Sequence, residues 1–407
     1  MPRQPDPGSP GAGAKAAGTT PISDQWPGNP GGELPTHYPG GIGASPMWTV
    51  QCARCHQIAT YHPTQWHCIC GGPWEPPRPL PFDHRAIRPH RSGIWRYMGL
   101  WPFQRDPITM GEGWTPLIPL SAIDPRLWAK LDYVMPTGSY KDRGTVTGLN
   151  ALREMGVDQV MDDSSGNAGA SLAAYAARAG LQATLFVPAH ASPSKKAQMR
   201  AMGARLIEIP GPRVQATAAL LQALETGGIY ASHVYNPFVL LGLATAAWEI
   251  WEQPGRAPDA VITPLGHGML FLGLFLGFEA LQAAGYIDRL PRLYGVQAAA
   301  CAPLAQAFTA GLEAPAPVEE GETIAEGVRI GAPPRGREIL QAARLTGGAI
   351  LTVQESEIQA AQDRLARQGL FVEPTGALAM AVWSQVLRET DRVMVLMLTG
   401  SGLKSLR

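Results

Sequence analysis

The chain lacks an excess of charge of either sign: Lys plus Arg and Asp plus Glu each number 33 over 407 residues. Nucleic acid and anionic membrane surfaces both reward clustered cations, so neither is an expected partner, and a small molecule is. Long hydrophobic runs are missing too. The longest, Met269 to Phe278, is interrupted by glycine and falls well short of the roughly 20 apolar residues that a membrane helix needs. No apolar stretch of the kind a secretory signal requires stands near the start, and the expected location is the cytoplasm. Cysteine is scarce at 5 residues, yet Cys52, Cys55, Cys68 and Cys70 fall close together while Cys301 stands alone. With nothing marking export, metal binding is a better reading of the cluster than disulfides.

Residues 1–45 are rich in Pro, Gly, Ala and Ser and have almost no large apolar side chains. Such a segment cannot bury enough surface to offset the entropy of ordering, and it reads as a disordered leader. The cysteine module spans 46–76. Residues 77–110, Pro- and Arg-rich with neither helical nor strand period, read as a connecting arm lying on the surface. Over 111–407 short β-type runs alternate with small-residue helices, the pattern of an α/β fold with a parallel sheet covered on both faces. Candidate strands include Trp128 to Leu131, Gln159 to Asp162, Ala183 to Val187, Arg205 to Ile209, Ala260 to Thr263, Arg292 to Val296 and Val393 to Leu398. Candidate helices include Asp142 to Met155, Ala168 to Ala179, Ser194 to Ala201, Arg213 to Glu225 and Ser356 to Arg367. The length suits two domains of ordinary size.

Four short segments carry chemistry. In Gly138-Ser139-Tyr140-Lys141-Asp142-Arg143-Gly144 a lysine stands where a loop gives way to a helix, and the positive end of the helix dipole there favours a nucleophilic amine over an ammonium. A lone lysine at a helix start is more often merely solvated, so its companions decide. Asp163-Ser164-Ser165-Gly166-Asn167-Ala168-Gly169 follows a strand and opens a helix, a turn that aims backbone N–H groups at a carboxylate or phosphate. Thr263-Pro264-Leu265-Gly266-His267-Gly268-Met269 also follows an apolar run, with glycines where a phosphate can approach the backbone closely. Leu398-Thr399-Gly400-Ser401-Gly402 follows the last strand. Ligands of open α/β sheets bind along that strand edge, and these loops fall on it together.

These residues resemble pyridoxal 5′-phosphate (PLP) enzymes of fold type II, and within them the threonine synthases. Ser139 to Gly144, Ser165 to Ser171, Thr323 to Gly331 and Thr399 to Lys404 carry the resemblance, in order from about Gly111 to the end. It implies two α/β domains, the smaller at about 142–235 inserted in the larger, with the cofactor in the cleft between them and, commonly, a homodimer. It implies that Lys141 bonds the cofactor and then removes the α-proton of an amino-acid substrate. Asn167 would bond the cofactor's ring hydroxyl, and Ser164, Ser165 and Gly166 would hold the substrate carboxylate. Gly266, His267, Gly268 and Met269 occupy the phosphate-loop positions, and Thr399 matches the hydroxyl that faces the pyridine nitrogen. A neutral hydroxyl there favours elimination and replacement over transamination. Glu326 and Glu373 fall at positions near the site without an assigned role.

Many relatives also carry a small zinc ribbon followed by a Gly-Gly pair, here Gly71-Gly72, which makes Cys52, Cys55, Cys68 and Cys70 candidate zinc ligands. The second pair, Cys68-Ile69-Cys70, is one residue short of the usual spacing, so His56, His62 and His67 are alternative ligands. Two further departures concern the substrate. Gly113-Trp114-Thr115-Pro116-Leu117 lacks the Asn usual before Thr-Pro-Leu. After Asn236-Pro237-Phe238 the chain reads Val239-Leu240-Leu241-Gly242-Leu243-Ala244-Thr245, where the family has an arginine for the phosphate of O-phosphohomoserine and then polar residues. Valine offers no charge-assisted hydrogen bond. Either Arg143, Lys195 or Lys196 supplies the contact, or the substrate differs. The leading expectation is a threonine-synthase-like lyase. The alternatives are a serine or threonine ammonia-lyase or β-replacement enzyme, and a non-catalytic regulatory protein on the same fold.

Overall fold

The computed structural model describes residues 48–388 and 391–405, so the leader, residues 1–45, lies outside the described residues. Strands β1 (Thr49–Cys52), β2 (Ile58–Thr60) and β3 (Trp74–Glu75) make a small antiparallel sheet in the order β2-β1-β3. Next come β4 (Leu117–Pro119), β5 (Leu127–Lys130) and helix α1 (Lys141–Glu154). A βα run follows: β6 (Gln159–Asp162), α2 (Asn167–Ala179), β7 (Gln182–Pro188), α3 (Pro193–Ala201), β8 (Arg205–Ile209) and α4 (Arg213–Glu225). The chain then passes through α5 (Val239–Glu252), β9 (Ala260–Pro264), α6 (Met269–Ala283), β10 (Arg292–Ala298), α7 (Pro303–Thr309) and α8 (Gly336–Leu345). It ends with β11 (Ala349–Val353), α9 (Glu355–Ala366), α10 (Pro374–Val386) and β12 (Met394–Met397).

Two parallel-rich sheets result. The larger runs β11-β10-β9-β12-β5-β4, parallel except where β4 pairs with β5. The smaller, β6-β7-β8, is parallel throughout and comes from chain between β5 and β9. Strands β9 and β12 are buried along their whole length, as a strand covered on both faces requires. Alternate residues serve opposite cores: Val261, Val395 and Met397 pack with Leu270 and Leu274 of α6, while Ile262, Met394 and Leu396 pack with Leu378 and Val382 of α10.

The longest apolar run of the sequence is α6, a core helix. A side chain at Gly273 or Gly277 would strike Leu243 or Ala244 of α5, so glycine lets the two helices meet backbone to backbone. Among the described residues no helix is long and apolar enough to cross a membrane.

The connector is not an arm lying on the surface. Leu80, Phe82, Ile94, Trp95, Tyr97, Met98, Trp101 and Phe103 are buried in the main core. Trp95 stacks edge-on against Trp101 at 5.6 Å and donates from its indole to Glu112 at 2.7 Å. The segment folds as 3-10 turns at His84–Ala86 and Gly93–Leu100. With three residues per turn these show no 3.6-residue period.

Arg143 is committed as well. Its guanidinium lies 2.7 Å from Asp132 and 2.5 Å from Glu249, whose other oxygen takes Lys130 at 2.7 Å, all with no exposed side-chain surface. Thr115 donates to Asp132 at 2.7 Å. The network ties α1 to β5 and α5, and Arg143 is not free to meet a substrate phosphate. Burial alone would raise the Glu249 carboxyl, but the charges of Arg143 and Lys130 outweigh it and hold it at about 2. Its contribution is therefore present above the ordinary carboxylate value of about 4.3 and is lost as pH falls through about 2. Arg143→Met leaves the buried Asp132 carboxylate without a cation and Glu249 with Lys130 alone, and should lower stability by about 3–5 kcal/mol. The urea midpoint reads this directly, and a loss under about 1 kcal/mol would deny the network a structural role.

Candidate active site

The loops that leave the C-terminal strand ends meet at the start of α1. Lys141 is the first residue of α1, half-buried, with its ammonium 4.8 Å from the Tyr140 ring centre. The turn before it is pinned by the last strand's loop. Ser139 bridges Gly400, and the Tyr140 N–H donates to the Thr399 carbonyl at 2.9 Å.

Asn167 opens α2, and its amide donates to Glu373 at 2.9 Å. The Glu373 N–H in turn donates to the Gly400 carbonyl at 2.9 Å, which brings α2, the start of α10 and the 399–402 loop together. Ser164, Ser165 and Gly166 precede Asn167 on the same turn. That turn is anchored through Asp163, which accepts from Thr217 at 2.6 Å and from Tyr230 at 3.0 Å.

On the large-sheet side, Gly266, His267 and Gly268 join β9 to α6. A side chain at Gly266 would meet the Gly327 carbonyl at 2.7 Å, and Gly268 adopts a left-handed φ of 76° beside Ile339. Both positions therefore require glycine. Met269 begins α6 and places its side chain in the core.

Lys141, Asn167, His267 and Thr399 thus line one cleft together with Ser139, and the structure adds residues that no motif marked: Asp162, His233 and Arg213. Lys141 and Arg213 act electrostatically on Asp162, His233 and His267. Burial pushes the Asp162 carboxyl up to about 7. Burial likewise raises the Glu373 carboxyl. Ser139 Oγ, Asp162 Oδ1, Asn167 Oδ1, His233 Nδ1, both ring nitrogens of His267 and Thr399 Oγ1 are all buried without a hydrogen-bond partner. More than nine-tenths of buried polar groups in folded proteins are paired, and each orphan costs about 1–3 kcal/mol. A concentration of them around one lysine is the signature of a polar ligand's site. Lys195 reaches Glu326 at 3.0 Å, whereas Lys196 is spent on Glu208 at 2.9 Å in its own sheet unit.

The cysteine module forms a second centre. The sulfurs of Cys52, Cys55, Cys68 and Cys70 lie within 4.8 Å of one another. Gly72 sits beneath them, where a side chain would meet Cys52 Sγ at 2.6 Å. The histidines turn elsewhere: His56 to Gln51 at 3.4 Å, His62 to Thr64 at 2.8 Å and His67 to the Cys68 carbonyl at 2.8 Å. The short Cys-x-Cys pair therefore closes a four-thiol set without them.

Comparison with known proteins agrees with this architecture. Residues 108–400 match the family model described as pyridoxal-phosphate dependent enzyme. The threonine synthase of Methanocaldococcus jannaschii is 34% identical over 377 residues, covering 87% of this chain and 92% of that protein. The threonine synthase of Synechocystis sp. is 36% identical, covering 73% and 78%. Among solved structures, the T.th. threonine deaminase superposes with a TM-score of 0.60 at 29% identity, covering 70% of this chain and 92% of the other. Maize serine racemase superposes at 0.63 with 22% identity, over 71% and 88%, which speaks for the fold alone. The chain belongs to the pyridoxal-phosphate-dependent enzymes of fold type II, as a relative of the threonine synthases.

Proposed function

We propose that this protein is a PLP-dependent lyase of threonine-synthase type, in which phosphate leaves the γ-carbon of O-phosphohomoserine and water adds at the β-carbon to give threonine. The observation that carries the reading is the set of unpartnered buried polar atoms around Lys141. Their chemistry fits the cofactor: a hydroxyl, Thr399 Oγ1, for a ring nitrogen, an amide, Asn167, for a ring hydroxyl, and the glycine turn of residues 266–268 for a phosphate. When bound, PLP draws electron density away from the α-carbon of an attached amino acid.

The chain's own residues do the rest. The Lys141 amine would hold the cofactor and, when free, would be the base that takes the proton from the substrate's α-carbon. Ser164, Ser165 and the backbone N–H groups of the Gly166 turn hold the substrate carboxylate at the positive end of α2. Thr399, being neutral, leaves the ring nitrogen without a counter-charge and so favours departure of a group from the side chain over transamination. Closing the cleft excludes water until the leaving group has gone.

One observation favours a second reading. Val239 is buried against Gly144 and Gly148 of α1 and gives that side of the cleft no charge. A serine or threonine ammonia-lyase, or a β-replacement enzyme, needs no phosphate contact there. Visible spectra of the purified protein separate the two. A band absent in Lys141→Ala that shifts with O-phosphohomoserine, with release of phosphate, supports the first. A shift only with serine or threonine, with 2-oxo acid and ammonia accumulating, supports the second. No band at all would contradict both.

We assign zinc to the four-cysteine centre, since four thiolates in close pairs suit its tetrahedral preference. Metal analysis should find about one zinc per chain, lost in the Cys52→Ser, Cys68→Ser double variant. Native protein free of metal, with its exposed thiols titrating freely, would contradict the assignment.

A further inference from the structure

The reading above leaves a second imidazole unexplained. His233, on the segment between α4 and α5, faces His267 with ring centres 5.4 Å apart and planes at 75°. His233 Nδ1 and both ring nitrogens of His267 are buried and unpartnered. The carboxylate nearest His233 is Asp162, at 3.8 Å, too far for a hydrogen bond. Asp163, the other acid facing His233, is occupied by Thr217 and Tyr230.

The charge around the pair is one-sided. Burial, and then the positive charges of Lys141 and Arg213, hold the His233 imidazolium well below its ordinary range. Burial, His233, Arg213 and Lys141 do the same to His267. Among the described residues neither Lys141 nor Arg213 has a carboxylate oxygen within 4.0 Å. Two cations without counter-ions and three unpartnered ring nitrogens call for an anion with several acceptor oxygens and about two charges, which a phosphate monoester is. An anion in place would also let the imidazoles take up protons and donate. The position matters as well. His233 and Asp162 line the same small cavity as Val239 and Asn236, which puts polar groups in the lining that valine leaves without charge.

We propose that His233, which lies outside the glycine turn, joins His267, Lys141 and Arg213 in a phosphate-monoester receptor. The inference rests on the cofactor reading in that Lys141 lies beside the pair. The phosphate could be the cofactor's or the substrate's, and binding measurements tell them apart.

Calorimetry on protein stripped of cofactor compares PLP with pyridoxal. On loaded protein it compares O-phosphohomoserine with homoserine. His233→Gln and His267→Gln are expected to reduce preference for the phosphorylated partner about tenfold or more. Because each comparison is a ratio within one variant, general damage to the fold cancels. A fall in the first ratio identifies the cofactor phosphate as occupant, and a fall in the second identifies the substrate's. If neither variant moves either ratio by more than about twofold, the proposal is overturned. Inorganic phosphate titrated into the wild type and both variants keeps the two readings separate. A wild type that binds phosphate through His233 but takes up no PLP would sink the cofactor reading and leave the receptor standing.

Discussion

A cation buried two residues beyond Lys141 sets where the cleft can be. Arg143 is gripped by Asp132 at the end of β5 and by Glu249 of α5, and Lys130 neutralises the remaining carboxylate charge. Taking these ions from water is expensive, and a buried network of this kind contributes geometry more than net stability. The geometry here is the angle and depth at which α1 leaves the sheet, and so the place of its first residue. Glycines at 144, 148 and 242 let α1 and α5 approach until side chain meets backbone. The amine of Lys141 is thus carried on a rigid helix and not on a loop.

Around that fixed amine the chain leaves polar work undone. Nearby carboxylates find partners in short range: Asp163 with Thr217 and Tyr230, Glu112 with Trp95 and Tyr175, Asp142 with Thr137 and Ser171. At the cleft Ser139, Asn167, His267 and Thr399 each keep a buried polar atom unmatched. Such sites are held open by the surrounding fold, and a ligand that matches them recovers the loss. The large sheet supplies His267 and Thr399 from its strand ends, and the βα unit supplies Asn167 and Asp162 from the end of β6. The cleft exists because two parallel sheets present their C-terminal edges to one another.

Much of this was legible in the sequence because the fold class rests on local pattern. The strands Gln159–Asp162 and Arg205–Ile209 and the helix Arg213–Glu225 occupy the bounds their composition suggests. The glycine turns stand at strand ends, where backbone must approach backbone. What escaped sequence reading has physical causes. Residues 77–110 bury their aromatics through 3-10 turns and prolines, which leave no helical or strand period to detect. Arg143 reads as one more charged residue on a helix until Asp132 and Glu249, far apart in the chain, close on it. His233 belongs to no motif and becomes conspicuous only when the fold brings it to His267. The Cys-x-Cys spacing looked one residue short, yet the tight turn with Gly71 at a φ of 76° and Gly72 brings all four sulfurs together.

The central claim is that one amine, that of Lys141, carries the cofactor. Other lysines stand close enough to compete: Lys404 donates to the Thr137 carbonyl at 2.8 Å, and Lys195 reaches Glu326 at 3.0 Å. Borohydride reduction of the cofactor-loaded protein, followed by proteolysis and mass spectrometry, reports which amine holds the pyridoxyl group. The account predicts the added mass on the peptide containing Lys141 and on no other. Label on Lys404 or Lys195, or none anywhere, would contradict it.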